Sequence, residues 1–202
     1  MVFVLCLLSA GCSGAPGRVS VPNVDPDQAA KLALQELDQN GDSVLQSEEL
    51  EACPPLVHAM KVYDADQDGK LTEDELVAGI SRWASARTGA ILLPFRAQLD
   101  GRPLAGAEVK LIPVSFLEDM IKPAQGTADE RGAGVLELSP EDRPRNAPQM
   151  PLVPPGLYRV EITHPSTEIP ARFNSQSEIG LETSVAALNP AGVFWNLRSK
   201  KK

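Results

Sequence analysis

Asp64-Ala65-Asp66-Gln67-Asp68-Gly69-Lys70-Leu71-Thr72-Glu73-Asp74-Glu75 carries oxygen-bearing side chains at its first, third, fifth, ninth and twelfth places. Alternate carboxylates on a tightly curled loop gather oxygens around one point, which no single turn of regular backbone does. A hard divalent cation takes roughly six to eight such oxygens. Gly69, at the sixth place, tolerates the positive φ that a sharp reversal needs. Upstream, Asp38-Gln39-Asn40-Gly41-Asp42-Ser43-Val44-Leu45-Gln46-Ser47-Glu48-Glu49 repeats the pattern. Leu45 stands where the later run has Leu71, and Ser43 where it has Gly69.

Both runs resemble the EF-hand calcium loop. That resemblance implies Ca²⁺ as the cofactor and a set of ligands in each loop. Asp64, Asp66 and Asp68 would each give an oxygen, Lys70 its backbone carbonyl, and Thr72 a direct or water-mediated contact. Glu75 would close the shell with both carboxylate oxygens. In the first loop the matching places are Asp38, Asn40, Asp42, the Val44 carbonyl, Gln46 and Glu49. Ser43 departs from the pattern, and a non-glycine residue at φ > 0 costs on the order of 1 kcal/mol. Asn40 also removes one formal charge, so the first loop is expected to bind more weakly. Leu45 and Leu71 are expected to point away from the ions, each toward the partner loop.

The 202 residues are 23% charged and 43% hydrophobic, a globular composition. The net charge of −8 is unevenly placed: residues 25–75 hold 14 acidic and 3 basic residues, so the remainder is slightly basic. An acidic block with no basic stripe argues for cation binding and against nucleic acid as partner. The three cysteines, Cys6, Cys12 and Cys53, give no disulfide framework. Cys53 reads as a small buried residue at the end of a short helix.

Residues 1–10 are apolar, too short a run to span a bilayer but suited to an export signal. Leu8-Ser9-Ala10-Gly11-Cys12 resembles a bacterial lipoprotein cleavage site, which implies lipidation of Cys12 and a membrane-tethered protein of the cell envelope. Leu8 stands four places before the cysteine rather than three, and no Lys or Arg precedes the apolar run. An ordinary cleaved signal peptide, with a periplasmic or secreted product, is the other reading. The expected organisation is a leader at 1–12, a linker at 13–24, a helical pair at 25–87, a β-domain at 89–198 and a basic tail at 199–202.

Asp25-Pro26 caps the first helix, whose face is Ala29, Leu32, Ala33 and Leu37. A short helix follows the first loop near 47–52. Pro54-Pro55 breaks the chain, and a third helix spans about 55–63 with Leu56, Val57, Met60 and Tyr63 on its face. The last starts at Thr72 or Glu73 and runs through Leu76, Ile80 and Trp83. The loops start 26 residues apart, closer than in familiar EF-hand pairs and similar to compact bacterial ones.

Beyond Gly89 apolar residues alternate and Gly and Pro punctuate every ten residues or so. Strands are expected near 90–99, 107–113, 124–128, 134–138, 156–163, 181–187 and 193–198, with turns at Asp100-Gly101 and Asp129–Gly132. Seven short strands suit a sandwich. Leu99-Asp-Gly-Arg-Pro-Leu-Ala-Gly-Ala-Glu-Val109 is similar to the opening of bacterial carboxypeptidase-regulatory-like domains. Thr127-Ala-Asp-Glu-Arg-Gly132 and Leu152-Val-Pro-Pro-Gly-Leu-Tyr-Arg-Val160 resemble later landmarks of that family. The resemblance implies a transthyretin-like, immunoglobulin-related sandwich. The expected fold class is thus multi-domain: an N-terminal all-α EF-hand pair and a C-terminal all-β sandwich.

No enzyme is expected. His58 and His164 cannot build a multi-histidine zinc site, and no Gly-x-Ser-x-Gly or His-Glu-x-x-His motif is present. The histidines and Tyr-Arg-Gly-Ser tail of transthyretin-like hydrolases are also missing. The expected function is calcium binding, with the ion in a structural role. The alternatives are an adhesion or scaffold module, or an accessory subunit whose β-domain binds a protein or polysaccharide.

Overall fold

The computed structural model describes residues 22–86, 89–145, 149–189 and 191–200. The leader, Cys12 and most of the linker lie outside the described residues, as do the last two lysines. Among the described residues no helix is long and apolar enough to cross a membrane.

Four helices form the first part. Helix α1 (Pro26–Leu37) starts where Asp25 accepts hydrogen bonds from the N–H groups of Asp27 and Gln28, with Pro26 in the first turn. It buries Ala29, Ala30, Ala33 and Leu37. Strand β1 (Val44–Leu45) leads into the single turn α2 (Ser47–Leu50). Helix α3 (Pro54–Tyr63) follows the break at Cys53, then β2 (Leu71–Thr72) and α4 (Glu73–Ala84). Strands β1 and β2 pair antiparallel, placing Leu45 opposite Leu71. Helix α3 buries Pro55, Leu56, Ala59 and Tyr63, whereas Val57, expected on the buried face, is 49% exposed.

The second part is built from β3 (Leu93–Leu99), β4 (Arg102–Pro103), β5 (Glu108–Pro113), β6 (Ala124–Thr127), β7 (Ala133–Leu138), β8 (Gly156–Thr163), β9 (Gly180–Thr183) and β10 (Val193–Leu197). Asp100 and Gly101, at φ 50° and 79°, turn β3 back onto β4. Asp129 accepts from the N–H groups of Arg131 and Ala133 and so shapes the turn between β6 and β7.

The expected all-α half joined to a β-sandwich is not what forms. The strands make one sheet in the order β10-β3-β7-β6-β5-β8-β9, with β4 beside β3, curled into a half-barrel rather than split into two facing layers. Strand β7 prevents the split: Ala133 to Leu136 pair with β3, and Glu137 and Leu138 pair with β6. Alternation of apolar residues reports that a strand has a buried face. It does not report whether helices or a second sheet will cover that face.

Nor are the helices a separate unit. One continuous cluster of buried side chains runs from Ala29 and Leu56 through Trp83 to Tyr158 and Leu181. Helix α3 lies against the edge strand β9 so closely that a Cβ on Gly180 would overlap the carbonyl of Pro54. This lack of a side chain at Gly180 lets helix and strand backbones meet, and it covers one edge of the sheet.

Candidate functional site

The two twelve-residue loops sit back to back across the β1–β2 ladder, and their hydrogen bonds repeat at the third, fifth and twelfth places, with a shift in partner at the first. At the first place, Asp38 accepts from the N–H groups of Gly41 and Ser43 at 2.7 and 2.8 Å. Asp64 accepts from Asp68 and Gly69 at 3.2 and 3.0 Å. At the third, Asn40 Oδ1 accepts from Asp42 N at 2.9 Å, and Asp66 Oδ1 from Asp68 N at 3.1 Å. At the fifth, Asp42 accepts from Val44 N and Asp68 from Lys70 N. Each short side chain thereby curls its own stretch of backbone, which is why Asp and Asn recur at alternate positions.

The twelfth place closes each loop. Glu49 takes the N–H of Gln39 on one oxygen and that of Gln46 on the other, both at 2.9 Å. Glu75 does the same with Ala65 at 2.9 Å and Thr72 at 3.0 Å, and also accepts from the Thr72 hydroxyl. Each glutamate therefore ties the start of its loop to the helix that leaves it. Burial acts to raise the Glu75 carboxyl, but the N–H groups of Thr72 and Ala65 outweigh it and hold the group below the usual carboxylate range. Glu49 is the more deeply buried of the two, at 5% exposure.

Of the expected ligands, three are brought together: among the described residues the one group of acidic side chains that gathers around a point is Asp64, Asp66 and Asp68 in the second loop, with Glu75 outside it and no such group in the first loop. The Asp64, Asp66 and Asp68 carboxylates offer oxygens all within 4.8 Å of one another, a cluster that could hold a metal ion. The donor set is all oxygen, and oxygens about 2.4 Å from a calcium-sized ion can stand up to about 4.8 Å apart, so the residues fit such an ion. Val44 is in the ladder, opposite Thr72, and Lys70 stands just before it; the resemblance asks only for their carbonyls. Gln46 is at the start of α2, and its amide N–H donates to Asp42 Oδ2 at 2.6 Å. Leu45 and Leu71 are fully buried and paired across the ladder.

One feature escaped the sequence reading. The chain adopts a left-handed conformation at the fourth place of each loop as well as the sixth: Gly41 (φ 77°) and Ser43 (φ 64°) in the first, Gln67 (φ 63°) and Gly69 (φ 83°) in the second. Each loop has one glycine and one strained non-glycine residue, in opposite order. The strain assigned to Ser43 therefore does not set the first loop below the second, because Gln67 carries a matching strain. The missing charge at Asn40 still separates them. Glycine at 41 was the available signal.

His164 has local partners: Nδ1 accepts from the N–H groups of Ser166 and Thr167, and Nε2 bonds the Ala105 carbonyl at 2.8 Å. This ring fastens one loop to another. His58 is exposed on α3. Cys53 is buried and free, and burial raises its thiol to about 11. Comparison with known proteins found no matching family, no curated relative and no solved structure similar to the chain.

Proposed function

We propose that the chain binds calcium through both twelve-residue loops, as EF-hand-type sites, and that the ion has a structural role. The observation that carries this reading is the Asp64, Asp66 and Asp68 triad, whose oxygens lie within 4.8 Å of one another, in a loop whose third-, fifth- and twelfth-place hydrogen bonds recur in the other loop. The all-oxygen donor set favours a hard cation over zinc or copper. The second loop, with Asp66 where the first has Asn40, is the tighter site. Affinities of roughly 10⁻⁴–10⁻³ M, the range of extracellular modules, suit an exported protein bathed in calcium. Export and tethering through Cys12 are part of the same proposal and rest on residues 1–12 alone.

Calorimetric titration of the full chain with Ca²⁺ tests the reading, alongside Glu75→Gln and Glu49→Gln. Two sites are expected, with the tighter one lost in Glu75→Gln and the weaker in Glu49→Gln. No heat and no change in thermal stability would end it.

A further inference from the structure

Helices α3 and α4 flank the second loop: α3 ends at Tyr63, next to Asp64, and α4 begins two residues before Glu75. Any change in how the loop holds an ion must move these two helix ends. In this protein the end of α3 is fastened to the middle and far end of α4 and to the sheet. The Trp83 indole N–H donates to the Tyr63 hydroxyl at 2.9 Å. The Tyr63 ring lies on Gly79 of α4 so closely that a Cβ there would overlap it. The buried carboxylate of Glu182, from β9, interacts with the same hydroxyl. Glu182 is 3% exposed and also accepts from the Ser184 hydroxyl at 2.7 Å.

A carboxylate this buried on an edge strand costs desolvation unless its partners are held in place. The chain Trp83–Tyr63–Glu182–Ser184 is thus a polar seam through the apolar contact between helices and sheet.

We propose that Tyr63 and Glu182 are positioning residues for the second cation site, coupling its occupancy to the docking of β9 against α3. This rests on the calcium reading above. The site and the strand bias the same element, so by linkage each strengthens the other. A calcium ion in this loop then locks the edge of the sheet in place, and the fastened helices do not splay to expose an apolar groove.

Hydrogen exchange on the full chain, with and without Ca²⁺, tests the coupling in wild type, Tyr63→Phe and Glu182→Gln. In wild type calcium is expected to slow exchange both in residues 64–75 and in Gly180–Thr183. In either variant the loop should keep its calcium-dependent protection while most of that in β9 is lost. Calcium affinity at the second site should fall about fivefold, the low end of the range for coupled sites. Loop protection in wild type with an unresponsive β9, or a β9 response unchanged in Tyr63→Phe, would overturn the coupling alone. A loop that ignores calcium in every variant would overturn the calcium reading, and the coupling with it.

Discussion

Ser43 and Gln67 hold nearly the same left-handed backbone, at φ 64° and 63°, on opposite sides of the two-strand ladder. Each is the non-glycine member of its loop's pair of reversals. A side chain there costs about 1–2 kcal/mol, partly offset by the greater freedom glycine has when unfolded. Ser43→Gly and Gln67→Gly should therefore each stabilise the chain by roughly 0.5–1 kcal/mol. Gly41→Ala and Gly69→Ala should destabilise by about 1 kcal/mol. Nothing lies within 4 Å of a Cβ at either glycine, so the cost is one of backbone alone. Denaturant midpoints of the four variants in chelator check this. A stability gain in Ser43→Gly without one in Gln67→Gly would contradict the paired geometry.

Leu45 and Leu71 are opposite each other and fully buried. Truncating either to alanine removes apolar contact from both loops at once, at a cost of about 2–5 kcal/mol. Because the ladder joins the loops, Leu71→Ala should weaken calcium binding at the first site as well as the second. A calorimetric titration in which the first site is untouched would show that the ladder carries no such link.

The local parts of this architecture were legible because their causes are local. Asp25-Pro26 marks a helix start within four residues, and alternate Asp and Asn curl the loop that contains them. Most strand positions were legible for a similar reason, since alternation and turn residues are read along the chain, but the strand expected at 181–187 ends at Thr183 and β4 was not foreseen. What lay hidden depends on distant partners. Nothing near β7 says that its first four residues pair on one side and its last two on the other. Glu182 looks like any strand acid, yet Tyr63, far back in the sequence, makes it part of the core. Gly180 would have been read as a weak strand residue, whereas it is the place where α3 touches the sheet. The fourth-place reversal was hidden for another reason: it shows only when Gly41 is aligned with Gln67, and each loop alone displays a single glycine.

The Glu75 carboxyl is held below the ordinary carboxylate range in the folded chain. Its contribution to stability is therefore complete above the unfolded value and is lost as pH falls through the lower, folded one. In chelator, thermal stability should hold near neutral pH and decline once pH drops below the usual glutamate range. Glu75→Gln should start less stable at neutral pH and show a shallower decline. Melting curves between neutral and strongly acid pH, without calcium, measure this. Equal slopes in wild type and variant would remove Glu75 from the acid response.

The contact between Gly180 and Pro54 decides whether the chain unfolds as one body. A methyl group at 180 has no room, because the obstructing atoms are backbone atoms of the helix start. Gly180→Ala should force α3 off β9 and destabilise by about 1–3 kcal/mol, the usual cost of overpacking. The two tryptophans offer separate reporters: Trp83 sits in α4, and Trp195 in β10 against Phe95 at 5.8 Å. With a shared core, helical circular dichroism and the fluorescence of Trp195 in a Trp83→Phe background should fall together on denaturation. Gly180→Ala should lower both midpoints. If the helices unfolded in a transition of their own, leaving the Trp195 signal at its original midpoint, the continuous core would not be cooperative.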